Sequence, residues 1–555
     1  MLKHCVLSFS ILFSSELISK NFYYDEKYSN NLSTYFDLGA KDIVKLERGK
    51  QFLYGGKYKE ALGIFKEIVA TNPDDGIALH YLGETHYKLH ELDLAKDALL
   101  KGTEAKNVKN ETFYFLGLVY MEKSEFDEAI NYFNEYHSKF NEKKLPEYDV
   151  EVYISQCNNA KFYKLHPVDV KIENAGNTIN SKFDDKAPSI SADGKKLVFS
   201  SRRPLTTDAP MDIEGDGKFF EDIYIAEWDS ASASWKTAHP VPGDVNVVGA
   251  HDACTSISAD GNQIFIYRNN MKDPESIGGN IFVSKVSNNK WKKPVSLGKP
   301  INSSYWEGGA CISPDGSTIF FTSERKGGNG HSDIWKVTHK NKKEWNKPEN
   351  LGTDINTDFD EGGMFLSPDG KTLFFCSNGP GSMGGQDIFK SVFEDGKWSK
   401  PINLGFPINT EKDEKSFTIS ADAQTGYFSS NREGGNGEYD IYKVNLSNYA
   451  VLENNFKAPI NPSGLSILKG VIRDDYEGVG LENADVIAYN EKGEIVSKTV
   501  ANERGEYFFT LAGDHEYTIK AEKKGYLEKT EKVMLLLGKK GNIFSTEKQF
   551  LLKKK

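Results

Sequence analysis

The 555-residue sequence has little cysteine, and its five thiols (Cys5, Cys157, Cys254, Cys311 and Cys376) are scattered without a CxxC pair. That spacing excludes a zinc ribbon or a disulfide-dense scaffold, and the last four read as buried thiols. No uninterrupted apolar run approaches the roughly 20 residues that span a bilayer, so no transmembrane segment is expected. There is no positive excess either: 69 Lys+Arg face 80 Asp+Glu, a net charge of −11. A chain so charged has no electrostatic basis for gripping nucleic acid along its length. No GxSxG elbow supplies a hydrolase nucleophile and no HExxH pair supplies a zinc site, so an enzyme is not expected and no cofactor is implied.

What is present is enough apolar residue for packed cores, 38% hydrophobic with 12% aromatic, in a chain long enough for several domains. Lys3, the apolar run Cys5 to Phe13, then Ser14, Ser15 and Ser19 follow the charge, apolar core and small-residue order of a secretory signal. Residues 1–19 are read as that signal and 20–41 as a linker. Cys5 precedes the apolar run instead of ending it, which is the wrong place for a lipid-acceptor cysteine.

Two repeat families follow. Gly49, Gly83 and Gly117 recur at intervals of 34, Ala61, Ala95 and Ala129 twelve residues further on, and Phe65, Leu99 and Phe133 in step. Small residues where two helices touch, with a large one filling the gap beneath, are the mark of a helix-turn-helix unit. The pattern resembles the tetratricopeptide repeat, with Leu82-Gly83, Leu116-Gly117, Tyr120 and Pro73 on its motif positions. Residues 42–165 are expected to form such repeats with a capping helix. The resemblance implies a groove for an extended peptide or partner helix, lined by Lys50, His80, Glu84, Tyr87, Tyr114 and Met121.

From residue 166 to 448 the texture is alternating strands broken by Asp-Gly turns, with aspartates Asp193, Asp260, Asp315, Asp369 and Asp422 at intervals of 67, 55, 54 and 53. Each copy reaches a second signature, Asp222-Ile-Tyr, Asn280-Ile-Phe, Asp333-Ile-Trp, Asp387-Ile-Phe and Asp440-Ile-Tyr. A turn ending in Asn belongs to each (Asn180, Asn246, Asn302, Asn356, Asn409). A period near 54 holds four short strands, so five periods are expected to give a five-bladed, alternatively six-bladed, β-propeller. The copies resemble the TolB-like, WD-repeat-like propellers of bacterial envelope proteins.

An acidic residue stands eight positions before each repeat aspartate: Asp185, Asp252, Glu307, Glu361 and Glu414. Two readings are open. The five carboxylates form a ring at one mouth and bind a cation or a basic peptide end, or each pairs with Ser, backbone N–H or an arginine such as Arg202, Arg325 or Arg432 as a fastener. In the long first insertion, Asp212, Glu214 and Asp216 imitate the start of a calcium loop, but Ile223 stands where its closing glutamate belongs.

After a linker at 449–466, residues 467–538 read as strands again. Gly470, Ala484, Gly505, Tyr507, Tyr517, Gly525 and Tyr526 resemble the carboxypeptidase regulatory-like domain, a small prealbumin-like β-sandwich without peptidase activity. Residues 539–555 read as a solvated basic tail. The whole order resembles the OmpA-family envelope proteins of Bacteroidetes, including the PorE-like component of type IX secretion. That resemblance implies a non-enzymatic scaffold of the periplasm or outer membrane with envelope or secretion-system proteins as partners. No OmpA-like wall-binding domain follows the sandwich in the 555 residues, so direct peptidoglycan binding is not expected. A ligand-binding protein, using the acidic ring for a cation, a peptide or a wall fragment, is the alternative.

Overall fold

The computed structural model describes residues 40–140, 148–213, 216–270, 278–341, 344–453, 456–459, 464–538 and 543–555. The expected signal peptide and most of the first linker lie outside them. The chain divides into two compact units, one of residues up to Phe162 with Asp212–Lys218, the other of Tyr163–Met211 with Phe219–Lys555.

The first unit holds the helices α1 (Ala40–Tyr54), α2 (Tyr58–Thr71), α3 (Gly76–Lys88), α4 (Leu92–Glu104), α5 (Glu111–Glu122), α6 (Phe126–Ser138) and most of α7 (Glu151–Leu165). A Cβ on Gly49, Gly83 or Gly117 would lie 2.6, 2.5 or 2.4 Å from Phe65, Leu99 or Phe133, so only glycine lets each pair close. Ala61, Ala95 and Ala129 are fully buried at the same contacts. The turns repeat as faithfully: Gly56, His90 and Ser124, again 34 apart, take φ of 74°, 58° and 61°. Each turn folds back with one backbone bond to the preceding helix, Lys57 N to Phe52 O, Glu91 N to His86 O and Glu125 N to Tyr120 O, at 2.8, 2.9 and 2.9 Å. This is the left-handed C-terminal cap that satisfies orphan carbonyls.

In the second unit, five antiparallel sheets follow one another, opening with the strands Asp185–Ile190, His251–Ile257, Glu307–Ile312, Glu361–Leu366 and Glu414–Ile419. Lys171–Asn174 adds to the fifth through Asp440–Asn445, with Ile172 opposite Val444. Each Asp-Gly turn joins the first two strands of its sheet and demands a left-handed residue. Gly194, Gly261, Gly316 and Gly370 supply φ near 70°, and Ala423 takes 54° in the fifth copy. Side chains stitch neighbouring sheets: Ser200 Oγ accepts from Cys254 N at 2.8 Å, Thr255 Oγ1 donates to Ala310 O at 3.0 Å, and Thr418 Oγ1 accepts from Ile190 N at 3.2 Å.

The fold class expected from the repeats is corrected here. The chain does not form an α-solenoid of tetratricopeptide repeats followed by a five- or six-bladed β-propeller. It is mostly β, with seven short helices toward the N-terminus of the described residues, several separate curled sheets and a C-terminal β-sandwich. The reason is physical: a period of 34 specifies a helix pair and its turn, and a period near 54 specifies a local antiparallel meander. Neither fixes how many units stack or how they are disposed.

The sandwich is two four-stranded sheets. One centres on Leu465–Asp474, and the other runs in the order Ile495–Val500, Asp485–Tyr489, His515–Glu522, Lys529–Leu535. Alternation puts Tyr507, Phe509, Tyr517 and Ile519 into one core. The residues expected to fray as a basic tail do not all do so: Ser545–Glu547 and Phe550–Leu552 run parallel to Leu465–Asp474, with Phe550 fully buried. The apolar alternation of Phe550 and Leu552 outweighs the flanking lysines. Leu465 and Ile467 pack on Ala192 and Ala421 of the sheets, and Arg504 Nη1 donates to Asn289 Oδ1 at 2.7 Å.

Candidate functional site

All five repeat carboxylates, Asp185, Asp252, Glu307, Glu361 and Glu414, are wholly buried. Four of them begin their strands beside a serine and the next strand's aspartate, as in the register Glu307 to Ser323 to Asp333 and Glu414 to Ser430 to Asp440, whereas Asp252 lies second in its strand, opposite Arg268 and then Asn280. Glu414 accepts from Thr410 N at 2.7 Å, Thr410 Oγ1 at 2.9 Å, Ser430 Oγ at 2.7 Å and Arg432 Nη2 at 3.1 Å. Glu307 repeats this with Ser303, Ser323 and Arg325. Arg203 binds Asp185 at 2.9 Å, and Arg268 binds Asp252. Glu361 differs: Thr357 and Ser377 donate to it, but Gly379 occupies the arginine position. Arg432 also donates to Ile408 O at 2.7 Å, tying the preceding turn to the same centre.

Burial dominates the titration of four of these groups. It raises Asp185, Glu361 and Glu414, and lifts Asp252 to about 6, against the pull of Arg203, Arg432 and Arg268 on their partners. The structure therefore places each carboxylate as a fastener between its sheet and the turn that precedes it, and brings none of the five to solvent. Of the two readings the sequence leaves open, the open acidic ring is not formed, because Ser, Thr, Arg and backbone N–H groups fill the acceptor positions.

Two polar devices escaped the sequence reading. The turn asparagines act as detached strand residues: Asn409 accepts from Ile388 N and donates to Ile388 O, both at 2.8 Å. Asn180 does the same to Ile441, 261 residues away, at 2.9 and 2.8 Å. The recurrence was visible, but its role needs the third strand. The other device is the aspartate opening that strand. Asp333 and Asp440 are wrapped by Gly-rich loops, accepting from Asn329 N at 2.7 Å and Asn436 N at 2.6 Å. In the first sheet an insertion replaces the loop, and buried Asp222 Oδ1 has no hydrogen-bond partner. Burial, then the charges of Asp252 and Glu221, push Asp222 up to about 8. Burial also presses upward on Glu221, yet Lys186 and Arg202 hold it at about 2.

The residues expected to line a helical groove are mostly interior. His80, Glu84, Tyr114 and Met121 are buried, while Lys50 and Tyr87 are partly exposed. His80 Nε2 lies 3.4 Å from Glu84 and its Nδ1 3.2 Å from Thr112 Oγ1, and burial pulls the imidazole below its usual range. Tyr114 stacks on Tyr148 with centroids 4.0 Å apart and donates to Tyr153 at 3.2 Å. Aromatic rings from the segment entering α7 thus cover positions that the repeat pattern leaves open. In the calcium-like loop, Glu214 lies outside the described residues. Asp216 Oδ1 accepts from Lys218 N at 3.0 Å, capping its own turn. Among the described residues no group of three His, Cys, Asp or Glu is arranged to hold a metal ion.

Beside the sandwich lies a cleft of about 1190 Å³, bordered by the Asp-Gly turns of the second and third sheets and by the strand Ile495–Val500.

Residues 467–544 match the carboxypeptidase regulatory-like domain, so the C-terminal sandwich is a domain of that type. No curated protein matches the chain. Similar solved structures include 3-chlorocatechol 1,2-dioxygenase from Rhodococcus opacus 1CP, 15% identical, covering 17% of this chain and 62% of that one with a TM-score of 0.15. Others are the α-L-arabinofuranosidase of Lactobacillus brevis (13% identical, 52% and 100% covered, TM-score 0.30) and a puromycin-hydrolysing peptidase of Mycobacterium tuberculosis (10% identical, 69% and 51% covered, TM-score 0.25). The chain spans less than two thirds of the dioxygenase it resembles. Likenesses this distant establish no activity.

Proposed function

We propose that this protein is a non-enzymatic scaffold of the bacterial cell envelope, periplasmic or associated with the outer membrane, whose partners are envelope or secretion-system proteins, type IX secretion among them. The reading draws its setting from the likeness of the sequence to OmpA-family, PorE-like proteins. The observation that carries it is the use of polar chemistry inside the sheets: five carboxylates, five asparagines and four arginines are spent on holding the fold. Rigid, internally satisfied modules suit presentation of surfaces more than turnover of a substrate. The ligand-binding alternative, as far as it relied on the acidic ring, finds no support in carboxylates sealed from solvent.

The test is crosslinking of the tagged chain in its native host, followed by fractionation and mass spectrometry. Recovery with defined envelope or secretion proteins is the expected result. A cytoplasmic location, or turnover of a substrate by the purified chain, overturns the reading.

A further inference from the structure

The strand Ile495–Val500 is an edge. It pairs with Asp485–Tyr489 on one side, and among the described residues no strand pairs with its other side. Alternate N–H and C=O groups of such a strand point outward and accept a further strand from any extended chain that reaches them. Edges are ordinarily blunted by proline, inward charge or a covering segment. This one contains no proline; Ile495, Val496 and Val500 are 51, 45 and 45% exposed, and Lys498, between the two valines, is the one charge it carries. The register shifts between Ala488 and Tyr489, so the regular part of the edge is Ser497–Val500. That length accommodates about four paired residues, roughly 13 Å of strand.

The charges around the cleft decide what fits. The cleft is lined by seven Asp and Glu side chains against four Lys and Arg. Two pairs are closed on the sandwich side, Lys469 with Glu547 at 3.7 Å and Arg504 with Glu506 at 2.9 Å, which leaves five acids against Lys285 and Lys498. Asp260 and Asp315, at the turns of the second and third sheets, face the same cleft, and Asp315 is exposed. Acid is therefore in excess around a strand edge whose one charge is Lys498.

We propose that the cleft receives an extended, basic segment of a partner protein, which adds to Ser497–Val500 as a further strand. Its backbone takes up the edge's unpaired groups, its β-branched side chains cover Val496 and Val500, and its lysines or arginines meet the acidic wall. This deepens the scaffold reading and rests on it, because it names the chemistry that a partner presents.

The test uses the purified full chain and a labelled short peptide of alternating lysine and valine. Saturable binding is expected, weakening with added salt as exposed charge pairs do. A version with proline at alternate positions, and one with glutamate for lysine, are each expected to bind at least about tenfold more weakly. The variant Val496→Lys/Val500→Lys, with both changes on exposed positions, is expected to lose binding to a similar degree while its thermal melt is unchanged. If the double variant does not fold, Val500→Lys alone serves. Amide exchange at Ser497–Val500 slows in the complex. No saturable binding, equal binding of the proline or glutamate peptides, or unchanged binding by the variant overturns the proposal. So does a concentration-dependent dimer that Val496→Lys abolishes, which assigns the edge to a second copy of this chain. Crosslinking to envelope proteins can succeed while this assay fails, which separates loss of this inference from loss of the scaffold reading.

Discussion

The helical unit and the five sheets solve the same problem, joining repeated units, by opposite means. Helix pairs are joined by shape: the missing Cβ of Gly83 or Gly117 admits Leu99 or Phe133, and no side-chain hydrogen bond is needed there. Sheets are joined at their turns by charge and amide chemistry, as where Glu414, Arg432 and Asn409 tie three segments together. The difference follows from the backbone. A helix satisfies its own N–H and C=O groups, whereas connections between strands leave such groups for side chains to satisfy. Steric joints are blind to pH, and buried carboxylate joints are not.

The largest expected effect breaks a charged joint. Glu414→Ala leaves the partly buried Arg432 beside carbonyls without its anion, at a cost of about 3 kcal/mol. Denaturant unfolding of the variant, followed by tryptophan fluorescence, measures it. A loss below about 1 kcal/mol sinks the view that these pairs hold the sheets.

Next come the steric joints, where two glycines of the same unit are expected to move in opposite directions. Gly117→Ala drives a Cβ to within 2.4 Å of the Phe133 ring and costs about 1–3 kcal/mol. Gly63, in α2, has nothing within 4 Å of its would-be Cβ, so Gly63→Ala gains about 0.5–1 kcal/mol from helix propensity. Melting followed by the helical circular-dichroism signal separates them. Two shifts of the same sign contradict the shape argument.

These joints differ in how far sequence reveals them. Gly117, Ala129 and Phe133 were legible because a helical contact recurs at fixed spacing and depends on size alone. Glu414 was legible as a recurrence with two readings left open, since pairing with Arg432 depends on three-dimensional burial. Asn409 was seen without a role, because its partner Ile388 becomes a neighbour only when the third strand lies beside the turn. Tyr148 covering Tyr114, and Phe550 entering the sandwich, were not legible: one breaks the repeat pattern, and the other hides among lysines. The arrangement of whole units lay beyond what a local period specifies.

The first sheet sharpens the comparison through pH. Asp222 is raised to about 8 by burial and by Asp252 and Glu221, against an ordinary value of 3.8. Its folded form therefore holds a proton that the unfolded chain releases. The stability this contributes is fully present below the ordinary value and is lost as pH rises through about 8. Wild type should lose up to about 1.4 kcal/mol per pH unit in that window relative to Asp222→Asn, with the gap levelling above it. Unfolding measured across the window in both proteins checks the sign. A gap that grows as pH falls contradicts it.

The smallest effect comes from the joint built without an arginine. Glu361 keeps Thr357 and Ser377 as donors at 2.6 to 2.8 Å, yet Gly379 stands where Arg325 and Arg432 serve the neighbouring sheets. Burial raises its carboxyl, and no arginine opposes that rise as Arg432 does beside Glu414. Glu361→Gln preserves size and an acceptor oxygen, strands no buried cation, and is expected to cost less than about 1 kcal/mol. Glu414→Gln, which strips Arg432 of its counter-charge, is expected to cost several times more. Paired denaturation curves of the two variants decide it. Equal losses mean that the serine and threonine donors, not the arginine, carry the joint, and the charge-based account of the sheets then fails at its strongest copy.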